Sequence, residues 1–380
     1  MPLRKYAFIR ISTLFLALLF AMLSLVLPAQ ALSLSAQSAV LIDARDGRVL
    51  YEKDADTPRP MASTTKIMTA VVALESCDVN EIIEIADEAV GVEGSSIYLQ
   101  KGERMTLLEL LYALLLQSAN DAAVAIAVGV GGSVGNFADM MNEKAVSLGL
   151  TSTHFENPNG LDADGHVTTA RELALLTAYA LKNPTFAEIV ATYKRKISGP
   201  DGTVRLVVNH NKLLNMYDGC VGVKTGFTKK SGRCLVSAAC RESLTLVSVT
   251  LSAPDDWRDH TAMLNYGYEN YCCEILCDEG GFIETLPVIG GEQDSLLCVN
   301  CDYVAATLPR DHGEISIDVR LPQMIYAPVS AGDIVGHVTY KCDGKVIGET
   351  DIKAAYNIEQ IRYKKNFWQK VWDFITGIFS

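Results

Sequence analysis

The order in which the hydrophobic pattern changes along the chain most constrains its fold. Two β-forming runs flank Arg45-Asp46-Gly47 and indicate a hairpin between residues 38 and 51. Helical spacing then dominates as far as residue 181, and strand-like runs return from residue 204. Strands on both sides of a helical region predict an α+β domain whose antiparallel sheet uses both ends of the segment.

The helical region divides into five predicted helices. Thr106 and Glu109 have the spacing of a capping box, and Gly149 and Pro184 are typical stop signals. The predicted helices cover residues 63–74, 106–116, 120–128, 137–148 and 169–181. Later runs predict strands at 206–208, 235–239 and 244–251 and a helix at 259–268. The segment 120–128 is nearly all apolar, so we expect that helix to be buried.

Residues 281–356 have a different pattern. Val, Ile and Thr alternate with polar residues there, and residues 315–319 show a period of two. We therefore predict a small all-β domain. It contains no cluster of residues that suggests chemistry, so we interpret it as a spacer or an interaction module.

The first 31 residues have the pattern of an export signal. Arg4, Lys5 and Arg10 precede an apolar run at 14–27, and Ala29-Gln30-Ala31 is a small-x-small cleavage sequence. An uncleaved membrane anchor is the alternative, but the run is shorter than the roughly 20 residues that a span needs. We predict a signal peptide at 1–31 and a mature protein outside the cytoplasmic membrane.

The last segment, residues 357–380, is predicted to be an amphipathic helix. Its charged residues give it a local charge of +2 in a chain whose net charge is −12. This pattern predicts an in-plane membrane anchor, and a helix docked on the protein's own core is the alternative. The acidic chain as a whole makes nucleic acid a poor candidate partner. The apolar residues at helical spacing are Ile361, Trp368, Val371, Trp372, Ile375, Ile378 and Phe379.

The chain contains ten cysteines, which is many for an exported protein of 380 residues. Free buried thiols, disulfides and a metal site are three open interpretations. A metal site would use Cys298-x-x-Cys301 with Cys272, Cys273 and Cys277, but zinc sites usually show two CxxC pairs. We expect no cofactor and no catalytic metal ion.

Three short motifs carry the chemistry. Ser63 to Lys66 has the form S-x-x-K, Ser118 to Asn120 has the form S-x-N, and Lys224 to Gly226 reads K-T-G. Lys230-Ser231-Gly232 is a near copy of the third motif, but its surroundings look like a turn. Each motif alone is weak, whereas the three in this order are a strong indication of one active site.

The residue types fit acyl transfer. A serine hydroxyl such as that of Ser63 is a weak nucleophile and needs a base nearby. Lys66 is three residues further along the helix and therefore on the same face. Lys66 can act as a base only if burial or a neighbouring cation, such as Lys224, lowers its pKa. Ser118 can relay a proton to the leaving amine, and Asn120 can hold Lys66 and a substrate amide.

The third motif suits ligand binding at a strand edge. Gly226 allows a ligand backbone to approach the strand, and Thr225 offers a hydroxyl to a carboxylate. The alternative is that Ser63 is a helix cap, Lys66 a surface lysine and Lys224 a charge at the end of a strand.

Together with their neighbours, these motifs resemble the D-alanyl-D-alanine carboxypeptidases among the low-molecular-mass penicillin-binding proteins. The resemblance runs from about residue 38 to residue 268 and includes segments 60–70, 117–123, 157–161 and 223–228. It implies a β-lactamase/penicillin-binding-protein-like transpeptidase domain at 32–275, followed by the β-rich domain at 281–356 and the tail at 357–380. Location on the outer face of the bacterial cytoplasmic membrane is also implied.

The resemblance further implies roles for the catalytic residues. Ser63 would be acylated by the penultimate D-alanine carbonyl of a peptidoglycan stem peptide, and penicillins would acylate it as substrate mimics. Lys66 would be the general base, and Ser118 and Asn120 would complete the proton relay.

The same resemblance implies how the substrate is held. Lys224 and Thr225 would bind the terminal carboxylate, and the backbone N–H groups of Ser63 and Phe227 would form the oxyanion hole. Arg258 is a candidate for a further contact with the carboxylate.

Other functions share these motifs. A β-lactamase usually needs a glutamate-activated water, and no convincing glutamate motif lies between Asn120 and Lys224. A transpeptidase or an endopeptidase would differ only in the acceptor or amide that it uses. A peptidoglycan-binding protein without catalytic activity is the alternative from another class, and the intact pair of Ser63 and Lys66 argues against it.

Overall fold

The computed structural model describes residues 32–361 and, beyond them, only Trp368, Trp372 and Thr376. The predicted signal peptide and most of the predicted tail therefore lie outside the described residues. The chain divides into two compact units: the first runs to residue 240 and includes 245–267, and the second comprises 241–244 and the chain from 268 onward.

The first unit contains a five-stranded sheet in the order β2-β1-β9-β8-β7. Two of its strands precede the helices between residues 66 and 216, and the other three follow those helices, so the prediction of a sheet built from both ends is confirmed. Gly47, at φ 77°, lies in the β1–β2 turn. The strands are β1 (Ser38–Asp43), β2 (Val49–Lys53), β3 (Ile82–Glu84), β4 (Arg104–Thr106), β5 (Lys194–Ser198), β6 (Val204–Val208), β7 (Cys220–Thr228), β8 (Gly232–Arg241) and β9 (Leu244–Leu251).

The helices of this unit agree with the predicted ones apart from their ends. A 3-10 turn at Ala62–Thr65 precedes the first helix, so the regular α-helix begins three residues later than predicted. Two helices, Pro184–Ala191 (α6) and the four-residue Leu213–Met216 (α7), were not predicted. Asn183 caps α6 and Pro184 opens it. The helices are α1 (Lys66–Ser76), α2 (Leu107–Leu116), α3 (Asn120–Gly131), α4 (Val134–Ser147), α5 (Ala170–Leu181), α6 (Pro184–Ala191), α7 (Leu213–Met216) and α8 (Asp256–Asn270).

The buried side chains show how the helices pack against the five-stranded sheet. Helices α2 and α3 belong to one hydrophobic core that also includes sheet residues such as Val40 and Val249. On α8, a Cβ at Gly267 would lie 2.4 Å from Leu246 Cδ1, so this helix packs closely against β9. Among the described residues no single helix is long and apolar enough to span a bilayer; α3 and α4 pass that test only as a pair bent by 84°.

The second unit is all-β after α8, as predicted for residues 281–356. Its larger sheet has the order β14-β16-β17-β12-β11-β15, and β10 pairs with β13 in a second sheet. Because β10 belongs to this unit, the domain boundary that we placed at 275 falls inside a strand. The strands are β10 (Tyr271–Cys277), β11 (Ile283–Ile289), β12 (Ser295–Asn300), β13 (Val304–Pro309), β14 (Ile315–Arg320), β15 (Ile325–Tyr326), β16 (Ile334–Cys342) and β17 (Lys345–Ala354).

The beginning of the predicted tail is part of this β unit. Ile358 is buried and exchanges backbone hydrogen bonds of 2.9 Å with Val329. The Ile361 N–H donates to Gly290 O at 2.8 Å. The prediction of an amphipathic helix from residue 357 is therefore wrong for residues 357–361, because backbone groups in this stretch are hydrogen-bonded to the β unit. Trp368 and Trp372 are helical and exposed.

Candidate active site

Ser63 lies in the 3-10 turn that precedes α1, at the wall of a cavity of about 380 Å³. The turn has an unusual backbone, with φ 48° at Ala62. The Thr65 hydroxyl donates to Ala62 O at 2.8 Å, and His166 Nε2 lies 2.7 Å from the same hydroxyl. Since His166 Nδ1 accepts from the Glu156 backbone N–H, Nε2 carries the proton and supports the turn.

Lys66 points from the first turn of α1 toward Ser63. Its Nζ lies 3.0 Å from Ser63 Oγ and 2.6 Å from Asn120 Oδ1, and it also contacts the Asn159 carbonyl. The side chain is fully buried, and this burial, followed by the charge of Lys224, holds its pKa well below the usual range. Because the Lys66 side chain is buried, the interpretation of Lys66 as a surface lysine is wrong. A neutral amine at this distance from a hydroxyl can accept the hydroxyl proton.

Lys224 forms a second lysine–serine pair. Its Nζ lies 2.9 Å from Ser118 Oγ and 2.8 Å from Thr225 O. It is also buried, and burial lowers the pKa of Lys224 to about 7. Ser118 has φ 58°, in the left-handed region, which aims its short side chain from the α2–α3 connection at the cavity.

Asn120 is the first residue of α3 and connects Lys66 to a loop. Its Nδ2 donates to Glu93 O at 2.6 Å, and its backbone N–H donates to Ser95 O at 2.7 Å. The next residue, Asp121, is buried and accepts hydrogen bonds from Ser96 Oγ and from the backbone N–H groups of residues 97 and 99. This network holds the loop that brings Ser95 to the cavity wall.

The strand β7 forms the opposite side of the cavity. It is the last strand of its sheet, and Thr225, Gly226 and Phe227 line the cavity. A Cβ on Gly226 would lie 3.1 Å from both the Ser63 N and the Ala62 Cβ, so glycine allows the strand to lie close to the nucleophile. An edge strand can pair with an extended peptide.

All eight predicted site residues thus meet at one place. Five of them line the cavity, and the other three reach it through the two lysine–serine contacts and the Asn120 side chain. The five that line it are Ser63, Ser118, Thr225, Gly226 and Phe227, and the other three are Lys66, Asn120 and Lys224.

Sequence reasoning gave no role to Asn159 and Gly160. Gly160 has φ 84°, and a Cβ there would lie only 2.0 Å from Ala62 O, so only glycine fits against the 3-10 turn that contains Ser63. The residue before Gly160, Asn159, directs its backbone carbonyl at Lys66. The sequence Asn157-Pro158-Asn159-Gly160 is a turn signal that could have indicated such a close approach.

Arg233 is a cavity residue that the sequence analysis also missed, whereas Arg258 is exposed and is not among the described residues that line the cavity. Arg233 pairs with buried Asp256 at 2.8 Å and lies over Trp257. In the β7–β8 hairpin it is opposite Phe227. The residues around Lys230-Ser231-Gly232 look like a turn in the sequence, and counting from Phe227 across that turn would have revealed the position of Arg233.

A serine in contact with a buried lysine, beside the open edge of a strand, is the arrangement expected of a serine-type acyl-transfer enzyme. The family model for D-alanyl-D-alanine carboxypeptidase matches residues 26–255, and that for the penicillin-binding protein 5 C-terminal domain matches residues 276–360. The chain belongs to the D-alanyl-D-alanine carboxypeptidase family. It is accordingly a hydrolase of the penicillin-binding protein class, as the resemblance implied.

Individual relatives agree over most of the chain. D-alanyl-D-alanine carboxypeptidase DacF of Bacillus subtilis is 30% identical over 86% of this chain and 86% of its own length. DacC of Escherichia coli is 30% identical over 91% of this chain and 89% of its own. The crystal structure of penicillin binding protein 5 from Haemophilus influenzae, 26% identical, covers 87% of this chain and 99% of that one at a TM-score of 0.71.

Proposed function

We propose that the chain removes the terminal D-alanine of peptidoglycan stem peptides through an acyl-enzyme on Ser63. Neutral Lys66 takes the Ser63 proton as Oγ attacks the penultimate D-alanine carbonyl carbon. The backbone N–H groups of Ser63 and Phe227 receive the developing negative charge. The C–N bond then breaks, and a proton returns to the leaving amine from Lys66 through Ser118. Water finally hydrolyses the ester.

The observation that carries this proposal is the contact of 3.0 Å between Nζ of the fully buried Lys66 and Oγ of the half-buried Ser63. Burial makes the ammonium form costly, so the lysine favours the neutral state that a base requires. Its other two partners, Asn120 Oδ1 and Asn159 O, are acceptors that fix the Nζ position.

The substrate carboxylate is expected between Lys224, Thr225 and Arg233. Arg233 already gives one nitrogen to Asp256, yet a guanidinium has five N–H donors and this side chain is 42% exposed. It can therefore add a charge-assisted hydrogen bond to a carboxylate. We propose Arg233, and not Arg258, as the arginine that contacts the terminal D-alanine.

The test uses the purified chain and a diacetyl-Lys-D-Ala-D-Ala peptide, with released D-alanine as the readout. Wild type should release D-alanine and should be labelled by a fluorescent penicillin on Ser63, and Ser63→Ala should do neither. Ser152→Ala, an exposed serine, is the matched control. Penicillin labelling without D-alanine release would instead indicate a transpeptidase or endopeptidase.

We also propose that the enzyme is exported and lies on the outer face of the cytoplasmic membrane. Residues 1–31 have the pattern of a signal peptide, and residues 362–380 retain the amphipathic pattern with Trp368 and Trp372 one helical turn apart. The exposed fractions of these two indole side chains are 76% and 69%. Trp residues of this kind are favoured at a membrane interface.

The anchor is tested by sedimentation with anionic lipid vesicles. Removing residues 362–380, which spares the backbone pairing of Ile358 and Ile361, should release an active enzyme into the supernatant. Trp368→Ser with Trp372→Ser should weaken sedimentation, while Trp257→Phe, outside the tail, should not. A truncated chain that still sediments would show that the anchor lies elsewhere.

A further inference from the structure

A cluster of three metal-ligand side chains lies in the second unit. Cys272 and Glu274 are two residues apart on β10 and therefore on the same face of the strand, and His312 follows β13. One ligand atom from each lies within 4.8 Å of the others. In the described part of the chain no other group of three His, Cys, Asp or Glu side chains is arranged in this way.

The imidazole of His312 is held in the orientation of a metal ligand. Its Nδ1 lies 2.8 Å from Gly313 O, and since a carbonyl only accepts, Nδ1 must carry the proton. The neutral ring then has its lone pair on Nε2. A backbone carbonyl on the far nitrogen is the usual outer partner of a metal-bound histidine.

The lone pair of His312 Nε2 faces a carboxylate oxygen of Glu274, which is also an acceptor. His312 Nε2 lies 3.7 Å from Glu274 Oε1, and Cys272 Sγ lies 3.4 Å from the same oxygen. Two acceptors that face each other need a cation or a proton between them. Glu274 Oε1 is thus the shared corner of the three ligand atoms.

These separations suit zinc. Bond lengths of about 2.3 Å to sulfur and about 2.1 Å to nitrogen or oxygen give tetrahedral edges of about 3.6 Å for S–O and about 3.4 Å for N–O. The observed 3.4 Å and 3.7 Å differ from these by about 0.2–0.3 Å. The third pair, Cys272 Sγ and His312, lies within 4.8 Å, compared with about 3.6 Å for an S–N edge of a tetrahedral zinc site.

We propose that Cys272 Sγ, Glu274 and His312 Nε2 bind a zinc ion, with water as the fourth ligand. The thiol proton of Cys272 leaves to solvent as the S–Zn bond forms, and no electron is transferred. The side chains of His312 and Glu274 are 19% and 40% exposed, which gives the ion and its water an entry path. The ion would link β10, through Cys272 and Glu274, to the segment after β13, through His312.

The groups around Cys272 favour its neutral thiol as long as no metal ion is bound, so zinc binding has to displace the thiol proton. The positive charge of Arg310 lies near Cys272 and favours the ionised sulfur, although burial and Glu274 raise the pKa of this thiol without a metal. Cys273, the next residue, lies on the opposite face of β10. It therefore offers a matched control with the same residue type at almost the same position.

The experiment titrates the tag-free, metal-free full chain with Zn²⁺ against a chromophoric chelator. Co²⁺ is the spectroscopic probe, because a cysteine ligand gives a thiolate-to-cobalt charge-transfer band. Wild type and Cys273→Ser should bind one zinc per chain and show the band. Cys272→Ser should lose the band, and Cys272→Ser and His312→Gln should bind zinc at least about tenfold more weakly.

Either of two results would overturn the proposal. One is the absence of stoichiometric zinc binding by wild type, and the other is equal binding by wild type and Cys272→Ser. A band that disappears in Cys273→Ser instead would assign the metal to different ligands. Thermal unfolding gives a second readout, since zinc should raise the Tm of wild type and Cys273→Ser but not of Cys272→Ser.

Discussion

The two buried lysines of the active site have the same partner type but different surroundings. Lys66 lies on a helix and contacts three oxygens, of Ser63, Asn120 and Asn159. Lys224 lies on an edge strand and contacts Ser118 and its own neighbour Thr225. Both have lowered pKa values, but that of Lys224 is lowered by burial alone, whereas Lys66 also faces the charge of Lys224.

This difference separates two tasks within one cavity. Burial and repulsion by a second cation disfavour the ammonium form of Lys66, which suits it to the task of a base. The lysine with a pKa of about 7 is partly charged at neutral pH and can attract a carboxylate. Substitutions at the two positions should therefore fail in different ways.

The largest effect is expected from Lys66→Met. Methionine fills a similar volume but cannot accept the Ser63 proton, so the acylation rate should fall by about 10²–10⁴-fold. Stopped-flow labelling with a penicillin measures it. The far-UV circular dichroism spectrum should be unchanged, because methionine keeps the packing volume of the side chain and removes only its amine. A variant that acylates at the wild-type rate would assign the base to another residue.

Lys224→Met should have a smaller effect and a different character. Loss of a charge-assisted hydrogen bond to the substrate carboxylate costs about 1.5–3 kcal/mol, or about 10–150-fold in kcat/KM. Much of that loss should appear in KM. Lys212→Met is the control, since Lys212 is exposed at the wall of the same cavity. Equal losses in both variants would show that general positive charge, and not Lys224, matters.

The next smaller effect concerns the arginine. Arg233→Gln should raise KM for the peptide about tenfold with little change in kcat, because the guanidinium contributes to binding through a partly exposed contact. Arg258→Gln should leave both constants unchanged. A raised KM in Arg258→Gln together with unchanged constants in Arg233→Gln would show that Arg258 contacts the substrate carboxylate.

A fourth effect is on stability instead of rate, and it depends on pH. An unfolded lysine keeps its proton up to about pH 10.4, whereas folded Lys224 loses it near pH 7. Between these values the unfolded state binds more protons, so wild-type stability rises with pH. The excess Tm of Lys224→Met over wild type should therefore shrink from pH 7.5 to pH 9.5. A constant difference would mean that Lys224 titrates normally.

Much of this architecture could be predicted from the sequence because local signals agreed with the fold. The hairpin at Gly47 and the cap at Thr106 both rest on short-range chemistry. The missed helices α6 and α7 have only eight and four residues, which is too short for a clear hydrophobic period.

The parts of the site that the sequence could not reveal depend on long-range packing. The carbonyl of Asn159 reaches Lys66 across 93 residues, and Asp256 reaches Arg233 across 23. A backbone acceptor has no residue-type signature, so no motif could identify it. The cluster of Cys272 with Glu274 and His312 was hidden too, because His312 joins it only through the pairing of β10 with β13.

The most direct test of the central claim is an NMR titration of the lysine Cε and Nζ resonances in labelled protein, assigned with Lys66→Met and Lys224→Met. We expect that the resonance missing from Lys66→Met belongs to a neutral amine at pH 7 and that the one missing from Lys224→Met titrates at about 7. A Lys66 resonance that titrates near the ordinary lysine pKa would contradict this expectation, because Ser63 would then face an ammonium that cannot take its proton.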